Sequence, residues 1–376
     1  MSTHPVRLAL DVAPVRADPA GVGVYAASLA VALARRSPSA LTLIGVRDDA
    51  WALDEIPALV PRLPFRAPGF SVRLAPNYHA WLQLHADAQA REARANLVHY
   101  TNAAAPLRAR LPFVLTVHDL SVLRLPHLHP VARVATAPLT LAAIARARAI
   151  VVPSNWVRGE LTRMGVDGRR VVVVEHAKSE SMPSSPAEDT ILNRLGLTKG
   201  EYLLTIGTIE PRKNIVRLID AWEHLAASDP RLHLVIAGGD GWRRRTIDQR
   251  IAASPFRDRI VVTGYLSHGQ IGALIRSAAI VCYVSIYEGY GMPIIEAMGL
   301  GAPVVTSNRT SMPQAAGGAA VLVDPFDVAD IVRGIREALG RREELSVAGT
   351  ARVARRSWAD VAAEHSAVYE WAVART

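Results

Sequence analysis

The sequence predicts an α/β protein of two domains, each built on a doubly wound parallel sheet. Three observations predict it. Short apolar runs rich in β-formers alternate with helical segments, and they do so in two separate series. A polar, proline-containing stretch divides the series. The 376 residues are also too many for one ordinary core and suit two domains that each bury a substantial interior.

In the first series, residues 6–11 read as a strand and 22–36 as a helix whose Val22, Tyr25, Leu29 and Leu33 share one face. Further strands are expected at 41–46, 96–100, 113–117, 149–153 and 170–175, with Ser154 placed to cap the helix that follows 149–153. Residues 178–199 turn polar, with Ser181-Met-Pro-Ser-Ser-Pro186 and a short helical piece, the composition of a linker. Strands resume at 202–207, 232–237, 260–264, 279–285, 303–307 and 320–323. The expected division is a first domain over 1–177, a second over 200–356 and a closing helical segment over 357–376.

The residues that carry chemistry fall just after strands. His118, Ser154, the loop 208–214 and the loop 288–292 each follow the carboxyl end of a predicted strand, the edge where open parallel sheets bind ligands. Two such edges facing each other would define a cleft between domains. The densest stretch is Ser285-Ile-Tyr-Glu-Gly-Tyr-Gly-Met-Pro-Ile-Ile-Glu296, in which two glutamates bracket a glycine-rich bend that runs into a helix. Pro293 suits the first helical position, which puts Glu288 in the loop and Glu296 about two turns inside the helix. Gly289 and Gly291 carry no side chains to hold a ligand off, and unpaired amides from Tyr290 through Gly291 and Met292 to Ile294 would favour an anion. Carboxylates only accept hydrogen bonds, so the pair suits a ribose or hexose diol beside a phosphate. The plain alternative is one glutamate complementing the helix dipole and one surface acid.

Composition excludes several classes. Half the residues are hydrophobic and a fifth are charged, which fits a globular chain. The single cysteine, Cys282, sits in an apolar run and reads as core, in keeping with a reducing compartment. The amino terminus has no basic segment ahead of an apolar signal core, and no run reaches the ~18 apolar residues of a membrane span, so a cytoplasmic location is expected. Up to Ala177 there are 20 Lys and Arg against 12 Asp and Glu; after it, 23 against 22, so the net charge of +9 sits almost wholly in the first half. That basic half suits an anionic acceptor or peripheral contact with an anionic inner-membrane face, or it is an arginine-rich composition spread over solvated faces. Nucleic acid is disfavoured, since the basic residues form no compact run with interleaved aromatics. There is no Asp-x-Asp and no His/Cys cluster at metal-ligand spacing.

The stretch 285–296 resembles the E-x7-E motif of retaining, nucleotide-sugar-dependent glycosyltransferases of family 4, which have the GT-B fold of two Rossmann-like domains facing a cleft. Further blocks stand in that family's order: the glycine pair Gly21 and Gly23, Thr116-Val-His-Asp-Leu120, Pro153-Ser-Asn155, Gly207-Thr-Ile-Glu-Pro-Arg-Lys-Asn214, Ala237-Gly-Gly-Asp-Gly-Trp242 and Gly264-Tyr265. The likeness covers nearly the whole chain and is closest in look to bacterial mannosyltransferases. It implies that Glu296 binds ribose hydroxyls and Glu288 the donor sugar. Arg212 and Lys213 would neutralise the diphosphate and the charge that grows as it leaves. Lys213 stands out as one of only three lysines among 43 basic residues. Gly21 and Gly23 would admit a phosphate, or serve only as a tight turn, with Gly207, Gly264 and Tyr265 also on the donor side. His118 would touch the donor sugar or orient the acceptor hydroxyl, or else be a satisfied core histidine. The last helix is expected to return to the first domain.

The implied reaction is a metal-independent transfer of a hexose from a nucleoside diphosphate sugar to a hydroxyl of a glycan, lipid-linked or small-molecule acceptor. It would retain configuration by a front-face route in which the departing phosphate helps take the acceptor proton. GDP-mannose is the first choice of donor and UDP-glucose or UDP-N-acetylglucosamine the next; the donor is a substrate, and no cofactor or metal is expected. A GT-B epimerase or phosphorylase and a nonenzymatic nucleotide-sugar binder are the other classes. Departures from the family pattern are Val284 where proline is usual, Gln314 where glutamate is common and Ala177 where glycine is usual.

Overall fold

The computed structural model describes residues 5–16, 21–50, 53–66, 77–179 and 188–375. The extreme amino terminus and the Ser181–Pro186 run expected as linker lie outside the described residues. The chain divides into two compact units, one taking in the chain up to Ala177 together with Arg356 onward, the other Lys178–Arg355.

The first unit holds seven parallel strands: β1 (Leu8–Asp11), β2 (Leu41–Val46), β3 (Arg62–Pro64), β4 (Leu97–Tyr100), β5 (Phe113–Thr116), β6 (Ala149–Val152) and β7 (Val171–Val173). Their order is β3-β2-β1-β4-β5-β6-β7, so the winding reverses between β1 and β4. Alternate residues serve opposite faces: Leu8 and Leu10 join one buried cluster, Ala9 the other. The edge strand β3 escaped sequence reasoning because it is three residues long, half exposed, and made of Arg62, Leu63 and Pro64. Gly21 and Gly23 lie in the first turn of the helix Gly21–Arg36, not ahead of it as expected. That helix buries Tyr25, Leu29 and Leu33, while Val22 is only partly covered. Ser154 caps the helix Asn155–Arg163 by accepting from the Val157 amide at 3.3 Å.

The last helix, Trp358–Ala374, belongs to this unit's core through Trp358, Val361, Val368 and Tyr369. A closed hydrogen-bond circuit docks it. His365 Nδ1 lies 2.7 Å from the Val361 carbonyl, which can only accept, so Nδ1 carries the proton and Nε2 must accept from Tyr25 Oη at 2.9 Å. Tyr25 then accepts from Thr116 Oγ1 (2.9 Å), Thr116 from His99 Nε2 (2.7 Å), and His99 Nδ1 from Tyr369 Oη (2.7 Å). Every member is buried and neutral, and both ends of the circuit lie on the same helix.

Part of the first unit's arginine surplus is structural. Arg170 Nη2 donates to the carbonyls of Ile144 (2.8 Å) and Ala145 (3.2 Å), the open end of the helix Ala137–Arg146. Arg146 holds the carbonyls of Pro106, Leu107 and Ala109, and Arg148 that of Arg375. With Trp371 these arginines rim a hollow of about 580 Å³. Arg148 and Arg170 precede β6 and β7, so the hollow is at the amino edge of the sheet, opposite the edge that carries His118.

The second unit has six parallel strands: β8 (Tyr202–Ile206), β9 (His233–Ala237), β10 (Ile260–Gly264), β11 (Ile280–Tyr283), β12 (Val304–Ser307) and β13 (Val321–Val323). The order β10-β9-β8-β11-β12-β13 again reverses once, between β8 and β11. Tyr202 and Leu204 face one cluster and Leu203 the other, where Cys282 is fully buried. The helix Glu188–Leu195, within the stretch expected as linker, places Ile191 and Leu192 in this core. Among the described residues no helix is long and apolar enough to cross a membrane.

Candidate active site

The loops that leave β8 and β11 start side by side where the second sheet reverses, and they carry the ionisable residues singled out in the sequence. After β8 the backbone passes Gly207 at φ 129° and makes one tight turn, Pro211–Lys213, closed by Asn214 in the left-handed region at φ 61°. The buried Asn214 amide donates to the carbonyls of Val284 (3.1 Å) and Pro325 (2.6 Å), tying this loop to the ends of β11 and β13. The glycine block after β9 has a packing cause: a Cβ on Gly238 would fall 2.1 Å from the Gly207 carbonyl oxygen, and one on Gly241 would fall 2.4 Å from that of Ile209. Gly238 in turn donates to the Gly264 carbonyl at 3.2 Å, linking the ends of β8, β9 and β10. Tyr265, just beyond, is half exposed.

Glu288 is 7% exposed and is the hub of an ionic cluster. Its Oε1 accepts from Lys213 Nζ and from Tyr283 Oη, both at 2.8 Å, and its Oε2 pairs with Arg212 Nη1 at 2.7 Å. Arg212 also binds Glu210 Oε1 through Nη2 (2.6 Å) and the Tyr287 carbonyl (2.7 Å). Two cations and two carboxylates thus balance in a buried site. Burial pushes the Glu288 carboxyl up, but Arg212 and Lys213 overcome it and hold the group at about 2, fully ionised. Burial lowers the Lys213 ammonium, with Glu288 opposing. Removing one member of such a buried pair costs ~3–5 kcal/mol because its partner is left uncompensated. Gly207 makes room for the lysine: a Cβ there would lie 3.2 Å from Lys213 Cε.

Glu296 is the opposite case. The helix Met292–Gly299 starts at Met292, with Gly291 at φ 107° before it, so Glu296 lies little more than one turn inside, not two, and Pro293 takes the second position. Among the described residues its carboxyl has neither a hydrogen-bond nor an ionic partner, and burial raises it to about 7. The expected row of open amides is shorter than the sequence suggested, because the Ile294 amide donates to the Gly291 carbonyl at 2.9 Å and Pro293 has none. Gly289 leads from Glu288 into this turn, the ring of Tyr290 packs into the core, and Met292 is partly covered against it. The loop's support was not legible in the motif. Thr310 Oγ1 accepts from the Glu288 amide (3.2 Å), and Ser311 Oγ donates to the carbonyls of Glu288 (2.8 Å) and Tyr290 (3.0 Å). The only signal was the polar run Ser307-Asn-Arg-Thr-Ser311 after a predicted strand.

In the first unit His118 is partly buried at the end of β5. Its Nε2 lies 2.8 Å from the Thr101 carbonyl and therefore carries the proton, leaving Nδ1 as an acceptor. Burial lowers its pKa, so the ring is neutral. Its edge meets the Tyr25 ring at 4.7 Å. Asp119 binds the Ser121 amide and hydroxyl, not the histidine. Gly21 is exposed and Gly23 buried. The sequence carries no signal for a second buried acid: Asp11, ending β1 at the reversal point, accepts from Tyr78 Oη (2.7 Å) and the Ala13 amide (3.0 Å), and burial raises it to about 7. Among the described residues no group of His, Cys, Asp and Glu is disposed to hold a metal ion.

Two doubly wound parallel sheets, with ionisable side chains gathered at the reversal point of the second, define an α/β protein of the nucleotide-handling kind. A glycosyl transferases group 1 family model matches residues 188–351, and a glycosyltransferase family 4 model matches residues 19–177. The O-antigen chain mannosyltransferase B of Escherichia coli is 32% identical over 363 residues, covering 92% of this chain and 94% of that one. Among solved structures, sucrose-phosphate synthase from Thermosynechococcus elongatus superposes with a TM-score of 0.76 at 19% identity over 98% of this chain and 99% of that one. Anabaena HepE in complex with UDP and glucose gives 0.71 at 17%, over 96% and 98%. The chain belongs to the family 4, group 1 glycosyltransferases of GT-B fold; it is a glycosyltransferase.

Proposed function

We propose that the protein is a retaining mannosyltransferase that moves mannose from GDP-mannose to a hydroxyl of a glycan acceptor without a metal ion. The observation that carries the donor half is the pair of glutamates in opposite states. Glu288 is ionised and pinned by Arg212 and Lys213, while Glu296 stands unpartnered one helical turn beyond the glycine bend. A ribose diol can donate both hydroxyls to the Glu296 carboxylate. The diphosphate meets Lys213 and the amino end of the helix, fixed positive groups that stabilise the charge growing on the leaving phosphate. Glu288, held rigidly, accepts from a hydroxyl of the transferred sugar. In the first unit, His118 offers Nδ1 as an acceptor to a sugar hydroxyl. The choice of mannose and of a glycan acceptor rests on the similarity to the Escherichia coli O-antigen chain mannosyltransferase.

The test is transfer from GDP-mannose, UDP-glucose and UDP-N-acetylglucosamine to mannose-containing oligosaccharides in the presence of chelator, with the product anomer read by NMR. An α-linked mannoside formed with chelator present is expected. Preference for a UDP sugar, inversion of the anomeric centre, or loss of turnover on chelation each overturns the corresponding part. Consumption of donor without acceptor would point instead to an epimerase or phosphorylase.

A further inference from the structure

The ionic cluster has a member that charge alone does not require. Tyr283 ends β11, is 2% exposed, and has its backbone carbonyl bound by Thr306 Oγ1 at 2.8 Å. Its hydroxyl lies 2.6 Å from Lys213 Nζ and 2.8 Å from Glu288 Oε1, and the ammonium sits 4.7 Å from the centre of its ring. An ammonium can only donate and a carboxylate can only accept, so the direction of both bonds is fixed: Lys213 donates to the tyrosine oxygen, and the tyrosine proton goes to Glu288. With the direct bond from Lys213 to Glu288 at 2.8 Å, the three groups form a closed triangle.

We propose that Tyr283 is a positioning residue for the transfer reaction: its hydroxyl locks the Lys213 ammonium and the Glu288 carboxylate into one geometry, so that a single Lys213 N–H remains for the donor diphosphate. This rests on the reading that Lys213 and Glu288 face the donor. Three rotatable N–H groups on a four-carbon stem would otherwise sample several orientations. Arg212 is not equivalent, since Glu288, Glu210 and the Tyr287 carbonyl engage it from three sides. Tyr283 orders the cation that has a donor to spare. Stabilisation given only to the developing charge appears in kcat, not in donor binding.

Tyr283→Phe keeps the ring, its packing and its contact with the ammonium, and removes both hydroxyl bonds. Hydrogen bonds to charged groups of this kind predict a fall in kcat of roughly tenfold to a hundredfold, with donor KM within about twofold. Melting should stay within a few degrees. The alkaline limb of the kcat profile should move to lower pH, because the ammonium loses an acceptor that favours its charged form; a tyrosine that only fills the core would leave that limb in place. In the double variant with Lys213→Ala, Tyr283→Phe should add no further loss, as residues acting through one another are non-additive. Unchanged kcat in Tyr283→Phe, or fully additive losses, would overturn the proposal while Lys213→Ala still reports on the site itself. Full turnover in Lys213→Ala would overturn both.

Discussion

Glu296→Gln should stabilise the second unit at neutral and alkaline pH. In the folded protein the Glu296 carboxyl is raised from the usual 4.5 to about 7 by burial, with no partner to hold its charge. The folded state therefore binds the proton more tightly than the unfolded chain. Its stabilising contribution is complete below pH 4.5 and is lost as pH rises through 7. A shift of that size corresponds to about 3 kcal/mol. Glutamine keeps the shape, cannot ionise, and so keeps the contribution at every pH. For a unit of this size the difference is roughly 6–12 °C in melting temperature at pH 8, narrowing to roughly a quarter of that at pH 5. The assay is the melting transition of both proteins from pH 5 to pH 9, alone and with saturating nucleoside diphosphate. Nucleotide should narrow the gap at pH 8, because ribose hydroxyls give the wild-type carboxylate the donors it lacks. A gap between the two proteins that stays constant across the whole range would rule out a raised Glu296 carboxyl, since every other titrating group cancels in the difference.

Other consequences follow from the same geometry. Gly238→Ala would set a methyl against the Gly207 carbonyl in a backbone region unsuited to side chains, so it should spread the loops after β8 and β9, cost more than about 3 kcal/mol and abolish transfer; a normal melting temperature would count against it. The first unit should lose stability as pH falls below 6.5. Burial holds His365 at about 4 and keeps His99, His118 and His176 below their usual value, so the unfolded chain takes up the protons first. Asp11, raised to about 7, offsets one of them, and a net uptake above one proton per unfolding event between pH 6.5 and 5 is the outcome to measure.

Regular strands were the legible part of the fold because both sheets are parallel and covered on both faces, which makes strands such as β8 and β11 nearly continuous apolar runs. The edge strand β3 carries no such signal, since Arg62 and Pro64 read as loop and only pairing with β2 makes them a strand. Each helix starts one residue earlier than expected at Gly21 and at Met292, where glycine and proline mark a boundary without fixing which side of it they occupy. The candidate site was legible in part from residue type at strand ends, which is how Arg212, Lys213 and Glu288 come to stand together. It was illegible where function depends on a partner distant in sequence. Nothing in Tyr283, Thr310 or Ser311 indicates that they meet at Glu288, and nothing in Asp11 announces its isolation from water.

The two glutamates show why spacing alone says little about a site. They are the same side chain eight residues apart, yet two cations draw one to about 2 while burial lifts the other to about 7. Groups whose environments push their pKa values apart are how one site assigns different tasks to identical chemistry. Glu288 cannot change its charge near neutrality, so it serves as a fixed point of negative field that keeps Arg212 and Lys213 in register. Glu296 titrates near neutrality, so if ribose hydroxyls meet it as proposed, its ionisation and donor binding are linked. Each proton released from Glu296 should favour nucleotide binding, and nucleotide binding should release protons from the protein near pH 7. Calorimetric titration of the nucleoside diphosphate sugar, whose diester diphosphate has no group titrating near neutrality, in buffers of different ionisation enthalpy measures that release directly. It should amount to a fraction of a proton at pH 7, vanish at pH 9 and be absent in Glu296→Gln; identical release from the variant would assign the linkage to another group.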